Sequence, residues 1–351
     1  MLSALTKEPG HIEVRDTEKP EVNSGDLLLK TSYAAICSTD IKMFTGKKKS
    51  DYLEFPIVLG HEVVGKVVKV GDNHERFASG DSLMLYPGIG CGECDFCLTD
   101  AHNLCQNRSA LGYNFDGGFA EYVRIPEPFF NNNRGRVLKV PDGLPLKRAV
   151  LFEPLSCAYN GIQQSRITEG DTVVVVGLGF MGLLFAQLAQ LKGALQVVGI
   201  DPITDRREKA KDIGVDTVLD PSSVNVKEIL KEETGEEGGD AVVAALAVPE
   251  VFEDSLELVK SGGTLNLFGG APSGSEISID PNMIHYNEID LVGTSAYRLK
   301  DALTVRNIMM DGVIKPEKLI TAEYPLEQIE EGMELAAENK EIKVLINFND
   351  S

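Results

Sequence analysis

The sequence predicts an α/β protein in two parts: a mostly-β first region, then a doubly wound parallel sheet. Short β-type runs such as DLLLKTSYAAIC and EVVGKVVKVG, separated by turn residues, fill roughly the first 140 positions. From Pro145 on, apolar runs (TVVVVG, LQVVGID, DAVVAAL, TLNLFGG) alternate with helical stretches, as parallel strands joined by helices require. With 351 residues, the chain is long enough for two domains that each bury a core.

The last part of the chain is expected to rejoin the first region. After the run IDLVG, two helical segments and a final strand, KVLINF, remain, which is more than a doubly wound sheet needs. We therefore predict a first domain made of residues 1–155 and 294–351, and a second domain of residues 156–293. The junction is expected to run through an ordered helix between Pro154 and Gln164.

The composition excludes several classes of protein. A hydrophobic fraction of 43% and a charged fraction of 25% are ordinary for a globular chain. No apolar run approaches the ~20 residues that span a bilayer, and the start MLSALTKEPG lacks the apolar core of a secretory signal. We therefore expect a cytoplasmic protein without a membrane partner. The net charge of −20 repels phosphate backbones, which argues against nucleic acid as a partner.

Four of the six cysteines crowd into one lobe, residues 88–108, with the spacing C-x2-C-x2-C-x7-C. They are Cys91, Cys94, Cys97 and Cys105. Four thiolates close a tetrahedral shell and leave no position for a substrate, which is typical of structural zinc. An iron–sulfur cluster is the alternative, but ferredoxin runs place three residues before a Cys-Pro pair, whereas Gln106 follows the last cysteine here.

The segment TVVVVGLGFMG carries a dinucleotide-binding fingerprint, G-x-G-x-x-G, directly after a predicted strand and at the start of an apolar helix. The first glycine makes the tight turn, the second lets the backbone approach a pyrophosphate, and the third lets the helix pack on the strand. The residues predicted to contact the cofactor here are Gly177, Gly179, Phe180, Met181 and Gly182.

Asp201 ends the next predicted strand, about 20 residues after the glycine turn, where a carboxylate accepts hydrogen bonds from the adenosine ribose. The same carboxylate repels a 2′-phosphate, so NAD is favoured over NADP. Arg206 is a second candidate at this end of the cofactor, where it is expected to stack on adenine; a solvated arginine is the alternative.

Cys37, His61 and Glu62 form a second candidate metal group. Cys37 ends a β-type run, and the GHE triplet at 60–62 precedes another strand. A thiolate, an imidazole and a carboxylate hold zinc while leaving one coordination position for water or an alcohol oxygen. Taken singly, a small buried cysteine or a hydrogen-bonded His-Glu pair is the ordinary interpretation.

Taken in order along nearly the whole chain, these motifs resemble the zinc-containing medium-chain dehydrogenases, and in detail the sorbitol and threonine dehydrogenase branch. The matching segments are Cys37 to Asp40, Gly60-His61-Glu62, the four-cysteine lobe, DGGFAEY at 116–122, Glu153-Pro154, the glycine fingerprint and Asp201. The resemblance implies a GroES-like catalytic domain, built from both chain ends, and a Rossmann domain for the dinucleotide.

The resemblance also implies roles for residues around the catalytic zinc. Its ligands are Cys37, His61 and Glu62, with Glu153 bound directly or through water. Ordinary alcohol dehydrogenases have a cysteine in place of this glutamate, so the glutamate favours the polyol branch; nearby Cys157 is interpreted as a core residue. Thr39 matches the hydroxyl that takes the substrate proton, Asp40 the group that orients the histidine, and Lys42 stands where a relay histidine is common.

Two matches lie near the end of the chain. Lys343 matches a basic contact to the pyrophosphate, and Tyr297 matches a substrate-side tyrosine of sorbitol dehydrogenases. The arginine that precedes this tyrosine in those enzymes is Ala296 here, a departure that argues against sorbitol itself.

The sequence therefore predicts an NAD-dependent zinc alcohol or polyol dehydrogenase with two zinc ions per chain. It is expected to move a hydride between NAD and a secondary alcohol (a polyol, sugar alcohol or sugar derivative), giving a ketone, and the resemblance implies a homodimer or homotetramer. A threonine-type or sugar-phosphate dehydrogenase is the alternative within the family, the latter through the lysines at 47–49. A non-catalytic dinucleotide-binding relative is the alternative outside enzymes.

Overall fold

The computed structural model describes residues 1–47, 53–130, 136–235 and 238–348. The chain forms two compact units. Unit 1 comprises Met1–Pro154 and Tyr297–Ser351, and unit 2 comprises Leu155–Ala296. Among the described residues, no helix is both long and apolar enough to cross a membrane.

In the described residues before Phe152, unit 1 has a series of strands and three short helices. The strands are β1 (Leu2–Glu8), β2 (His11–Asp16), β3 (Leu27–Ala35), β4 (Ile57–Val58), β5 (Glu62–Val70), β6 (Ser82–Leu85), β7 (Gly88–Ile89), β8 (Ser109–Ala110), β9 (Tyr122–Ile125) and β10 (Val137–Lys139). The helices are α1 (Ser38–Phe44), α2 (Asp95–Leu98) and α3 (Leu146–Ala149).

Strands and helices then alternate through unit 2. The helices are α4 (Phe152–Gln164), in which the chain passes from unit 1 to unit 2 after Pro154, α5 (Phe180–Leu191), α6 (Thr204–Asp212), α7 (Val226–Thr234), α8 (Pro249–Leu256) and α9 (Pro281–Asn287). The strands are β11 (Thr172–Val176), β12 (Gln196–Ile200), β13 (Thr217–Leu219), β14 (Gly239–Ala244), β15 (Val259–Leu267) and β16 (Asp290–Gly293).

The chain returns to unit 1 with two helices and two strands. They are α10 (Leu299–Asp311), β17 (Ala322–Pro325), α11 (Ile329–Ala337) and β18 (Val344–Asn347). Single 3-10 turns lie at His102–Leu104, Glu127–Phe130, Pro316–Leu319 and Leu326–Gln328.

The sheet of unit 2 has six parallel strands in the order β13-β12-β11-β14-β15-β16. This is the doubly wound Rossmann order, in which the strand order reverses next to the first strand, β11. Both faces are covered by helices, which is why β11 and β14 are near-continuous runs of valine and alanine with buried side chains. The predicted parallel sheet is confirmed.

The main sheet of unit 1 joins both parts of the unit. Its order is β10-β6-β5-β3-β18-β17, with β9 also paired to β3. Two registers matter for the site: β3 places Ala35 opposite Glu62 of β5, and β18 places Leu345 opposite Ala35. Residues 35–37, 61–62 and 343–345 therefore meet at one end of this sheet.

Candidate metal centres and dinucleotide-binding turn

Cys37 and Asp40 are fixed at the beginning of α1. The strand β3 ends at Ala35, and Cys37 is the residue that caps the helix. The backbone N–H of Cys37 donates to Oδ2 of Asp40 at 2.9 Å, and Asp40 is fully buried. Thr39 lies in the same helical turn and is half-buried. The turn thus presents a thiol and a hydroxyl on a backbone that a buried carboxylate holds in place.

Asp40 also orients His61. Its Oδ1 lies 3.0 Å from Nδ1 of His61 and accepts from the backbone N–H of Gly60 at 3.3 Å. Because an ionised carboxylate only accepts, Nδ1 carries the proton and the lone pair of Nε2 remains for a metal. Burial lowers the pKa of His61, but the negative charges of Asp40 and Cys37 outweigh burial and raise the pKa well above its ordinary value. The same negative charges that stabilise a proton on His61 also stabilise a metal cation bound there.

Glu62 is paired with a buried lysine. Lys343 is 4% exposed, and its Nζ lies 2.8 Å from Oε1 and 2.6 Å from Oε2 of Glu62. The same ammonium donates to the carbonyl of Ile36 at 3.1 Å. The sequence did not indicate this pair, because the partners lie 281 residues apart. The expected contact of Lys343 with a pyrophosphate stays a prediction, whereas its observed partner is a candidate metal ligand.

The residues of the first metal group fit zinc. Ligand atoms of Cys37, His61 and Glu62 all lie within 4.8 Å of one another. Sulfur, imidazole nitrogen and carboxylate oxygen are the donors that zinc takes in proteins, and three of them leave one of four positions for a substrate. The structure thus brings together the three residues that the sequence singled out, while their role as ligands stays a prediction.

Two further residues lie close to this group. Glu153, in the first turn of α4, is outside the set of mutually close ligand atoms found among the described residues, so its part in binding zinc stays a prediction. Tyr113 was not predicted; its ring centroid lies 5.8 Å from that of His61. Burial raises the pKa of Tyr113 to about 12, with the charges of Cys37, Asp40 and Glu153 acting in the same direction and that of His61 against it. No sequence pattern marked this tyrosine.

Tyr297 lies in an aromatic cluster of unit 1. It is 1% exposed, its ring meets that of Tyr86 edge-on at 4.5 Å, and its carbonyl accepts from the Tyr86 hydroxyl at 3.3 Å. Its predicted contact with substrate stays a prediction, as does the proton relay through Lys42, a half-buried residue of α1. Of the lysines considered for a sugar phosphate, those at 48 and 49 lie outside the described residues.

The four cysteines of the lobe have the geometry of a tetrahedral metal site. Sγ of Cys91 lies 3.9 Å from Sγ of Cys97, and Sγ of Cys94 lies 3.8 Å from Sγ of Cys105. Zinc–sulfur bonds of about 2.3 Å in a tetrahedron place the sulfurs about 3.8 Å apart, whereas a disulfide needs about 2.05 Å. All four are free thiols, so the separations match a metal and exclude disulfides among them.

Backbone N–H groups of the lobe point at the sulfurs. The N–H of Cys94 donates to Sγ of Cys91, and that of Cys91 to Sγ of Cys105, both at 3.4 Å. N–H groups of Glu93 and Cys94 lower the pKa of Cys91 to about 6, while burial raises the pKa of Cys97 to about 12. Cys91 is therefore ready to bind a metal as a thiolate, whereas Cys97 needs the charge of a bound dication to lose its proton at neutral pH.

The glycine turn of unit 2 has the shape that the fingerprint requires. Gly177 follows β11 with φ of +90°, and a Cβ on Gly182 would lie 1.8 Å from the carbonyl of Gly177. Gly179 caps α5, and the nearest atoms to a Cβ there belong to the Arg206 guanidinium at 3.9 Å. Phe180 and Met181 form the first turn of the helix. The backbone is therefore exposed to an anion at the helix N-terminus.

Asp201 supports this turn from the end of β12. Its Oδ2 accepts from the N–H of Leu178 at 2.8 Å, its Oδ1 accepts from the N–H of Ile203 at 2.8 Å, and the side chain is 2% exposed. Nη1 of Arg206 lies 3.6 Å from the same carboxylate. Apart from Lys343, which lies in unit 1, the predicted cofactor residues therefore come together at one end of the sheet of unit 2, and their contacts with a cofactor stay predictions.

Comparisons with known proteins cover almost the whole chain. A family profile described as "Alcohol dehydrogenase GroES-like domain" matches residues 23–134, and one described as "Zinc-binding dehydrogenase" matches residues 181–311. Sorbitol dehydrogenase of Bacillus subtilis is 28% identical over 99% of this chain and 98% of its own length. D-arabitol-phosphate dehydrogenase of Enterococcus avium is 30% identical over 97% of this chain and 96% of its own length.

A solved structure gives the same result. A zinc-binding dehydrogenase from Sinorhizobium meliloti 1021, bound to NADP, superimposes with a TM-score of 0.90 at 30% identity and covers 99% of each chain. The GroES-like assignment of unit 1 and the family resemblance stated from the motifs are thereby confirmed. With a Rossmann sheet, a four-cysteine lobe and a Cys-His-Glu group in one chain, this protein belongs to the zinc-binding medium-chain dehydrogenase family.

Proposed function

We propose that this protein oxidises a secondary alcohol with NAD, and reduces the corresponding ketone with NADH, at a zinc held by Cys37, His61 and Glu62. The proposal is carried by the contrast between the two metal groups. The lobe offers four thiolates and no remaining position, whereas this group offers three ligands of different kinds and leaves one position for a substrate oxygen. The lobe accordingly holds a structural ion.

The side chains around the metal prepare the substrate. Zinc bound here supplies a Lewis acid that favours loss of the proton from the substrate hydroxyl. Asp40 keeps the proton of His61 on Nδ1, so that Nε2 stays available as a ligand. Thr39, two residues after Cys37, receives the hydroxyl proton at Oγ1 and passes its own proton on.

The glycine turn of unit 2 binds the cofactor that accepts the hydride. Gly179 admits the pyrophosphate to the N-terminus of α5, and Asp201 offers its carboxylate to the adenosine ribose. NAD supplies the hydride acceptor. The electron pair of the substrate C–H bond thus leaves with the cofactor, while the O–H proton leaves through Thr39, and the product is a ketone.

The polar surroundings of the metal group favour a substrate with several hydroxyls. Glu62 brings one carboxylate to the metal group, Glu153 is the residue that replaces the cysteine of ordinary alcohol dehydrogenases in the family resemblance, and Tyr113 adds a hydroxyl beside His61. A neighbouring substrate hydroxyl leaves such groups hydrogen-bonded, whereas an alcohol without it leaves them unpaired. The relatives named for sorbitol and for D-arabitol phosphate support a polyol, free or phosphorylated.

The test is NADH formation by zinc-loaded protein across matched substrates: polyols, sugar-alcohol phosphates, L-threonine and ethanol. We expect the highest kcat/KM for a polyol or its phosphate. A site built to bind a hydroxyl rejects an analogue without it by up to ~10⁴-fold. Equal kcat/KM for ethanol and the best polyol would contradict the substrate class. Wild-type turnover in Cys37→Ser would contradict the metal assignment.

A further inference from the structure

The loop that carries Tyr113 is fastened to the strand segment that leads into His61. Within the loop, the N–H of Ala110 donates to Oδ1 of Asn114 at 2.8 Å. Beyond it, the N–H of Gly117 donates to the carbonyl of Val58 at 2.7 Å. The N–H of Gly118 likewise donates to the carbonyl of Gly60 at 2.7 Å. These bonds fix both ends of the turn, so the side chain at 113 has a defined position.

Glycines let the loop lie directly against the metal group. A Cβ on Gly112 would lie 3.1 Å from the backbone of Gly60, and a Cβ on Gly117 would lie 2.2 Å from the Gly60 carbonyl oxygen. Because Gly60 precedes His61 and Gly112 precedes Tyr113, this close approach sets the two rings side by side. Their planes are inclined by 57° at a centroid separation of 5.8 Å.

Charges from three separate segments converge on this tyrosine. Besides His61, it is close enough to Cys37 and Asp40 at the start of α1, and to Glu153 at the start of α4, for each to act on its hydroxyl. Tyr113 therefore lies within reach of the charges of Cys37, His61 and Glu153, three of the residues assigned to the zinc. A phenolic hydroxyl is both a hydrogen-bond donor and an acceptor, so this side chain is able to donate to a substrate oxygen.

We propose that Tyr113 is a specificity-determining residue, whose hydroxyl donates a hydrogen bond to a second oxygen of the substrate, next to the carbon that is oxidised. This inference rests on the proposed function, because it names how that site selects a polyol. The geometry that carries it is the rigid turn, the glycine-mediated contact with Gly60 and the position beside His61.

The competing interpretation is that the ring only fills space. Tyr113 packs against the buried cluster that contains Leu59 and Phe119. Phenylalanine preserves that packing and removes only the hydroxyl, so Tyr113→Phe separates the two interpretations. Tyr122→Phe is the matched control, because this tyrosine of the same unit lies on β9 beneath the ammonium of Lys19.

The experiment compares 2-butanol with 2,3-butanediol, which differ by one hydroxyl on the neighbouring carbon. In Tyr113→Phe we expect kcat/KM for the diol to fall about 10-fold to 100-fold, as loss of a buried hydrogen bond predicts, with the mono-alcohol changed by less than about twofold. Tyr122→Phe is expected to change neither. Zinc content and the thermal midpoint should match wild type in both variants. An equal fall for both alcohols, or no fall for either, would overturn the proposal.

Calorimetric titration of the protein–NADH complex with the two alcohols gives a second readout that does not need turnover. Wild type should bind the diol more tightly than the mono-alcohol, and Tyr113→Phe should lose that preference. A wild type without the preference overturns the role of Tyr113. A third outcome separates the two proposals. If Tyr113→Phe removes the binding preference for the diol but wild type turns over neither alcohol, the proposed reaction is contradicted and the recognition role of Tyr113 is supported.

Discussion

At the scale of single residues, the six cysteines show how surroundings decide a role that the residue type leaves open. Four of them sit at tetrahedral separations in the lobe, and Cys37 sits beside an oriented histidine and a buried glutamate. Cys157 lies half-buried on α4 and belongs to neither group of mutually close ligand atoms found in the described part of the chain. The surroundings of the thiols therefore predict a structural role for four of them and a catalytic role for Cys37.

Replacing one cysteine from each metal group should separate these roles. Cys37→Ser should lower the zinc content from two ions to one and abolish turnover, with the unfolding midpoint and NAD binding close to wild type. Cys97→Ser breaks a closed shell that holds the lobe together, so its first effect should be a lower midpoint. Metal analysis and calorimetry decide this. One zinc ion in wild type would contradict the two-site assignment.

Lys343 should act on Glu62 rather than on the cofactor. Removing one partner of a buried ion pair leaves the other charge uncompensated, which costs about 3–5 kcal/mol. Lys343→Met should therefore lower the free energy of unfolding of the metal-free protein by that order, with the dissociation constant of NADH changed less than about twofold.

Lys343→Arg is the control for this prediction, because it keeps the charge and should recover most of the stability. Unfolding in urea and titration with NADH give the two quantities. A large loss of NADH affinity in Lys343→Met at unchanged stability would favour the pyrophosphate contact that the sequence comparison suggests.

At the scale of elements, the glycine turn between β11 and α5 is held in shape by Asp201 at the end of β12. Asp201 accepts two backbone N–H groups of the loops around it, so the carboxylate shapes the turn before any cofactor arrives. Arg206 lies beside it at 3.6 Å. We therefore expect this cation to become available to a 2′-phosphate once the carboxylate is removed.

Asp201→Ser should narrow or reverse the preference for NAD, because repulsion of the 2′-phosphate disappears while Arg206 remains. Asp201→Asn is the control that keeps an acceptor for the N–H of Leu178, so a change shared by both variants comes from charge and not from the shape of the turn. The measurement is kcat/KM with each cofactor. Equal values for NAD and NADP in wild type would defeat this argument.

The elements and motifs could be predicted from sequence because their signals are local. Each signal is contained in a short stretch of sequence. One strand-helix-strand unit takes about 30 residues, and the glycine and cysteine motifs are shorter. Two contacts could not be predicted from sequence: the pairing of Glu62 with Lys343 and the position of Tyr113 against His61. Both depend on strand register and loop packing. No propensity encodes such contacts.

At the scale of the molecule, unit 1 is held together across its two chain segments by side chains of α3. Arg148 donates to both carboxylate oxygens of Glu317, at 2.9 and 2.5 Å, and to the carbonyl of Met309 at 3.0 Å. Nζ of the neighbouring Lys147 lies 2.5 Å from Oε2 of Glu323 on β17. The side chain of Lys147 is 46% exposed, whereas that of Arg148 is 14% exposed. Both pairs join residues 1–154 to residues 297–351.

We expect these two pairs to differ in strength. Arg148→Met should lower the free energy of unfolding of unit 1 by about 2 kcal/mol, because a two-point charged pair and a further bond are lost from a shielded place. Lys147→Met, the control on the same helix, should cost less than about 1 kcal/mol, as exposed pairs do. Calorimetry resolves the transition of unit 1 from that of unit 2, which NAD shifts. Equal effects would contradict the prediction.

The distance of 281 residues between Glu62 and Lys343 has a consequence for how the protein is made. At 5–20 residues per second, a ribosome takes on the order of 14–56 s to reach the lysine after the glutamate has emerged. During that interval the nascent sheet lacks β18, so β3 keeps an unpaired edge at Tyr33–Ala35, and Glu62 lacks its cation. A chain released before β18 is added would therefore keep both an open sheet edge and a carboxylate without its cation.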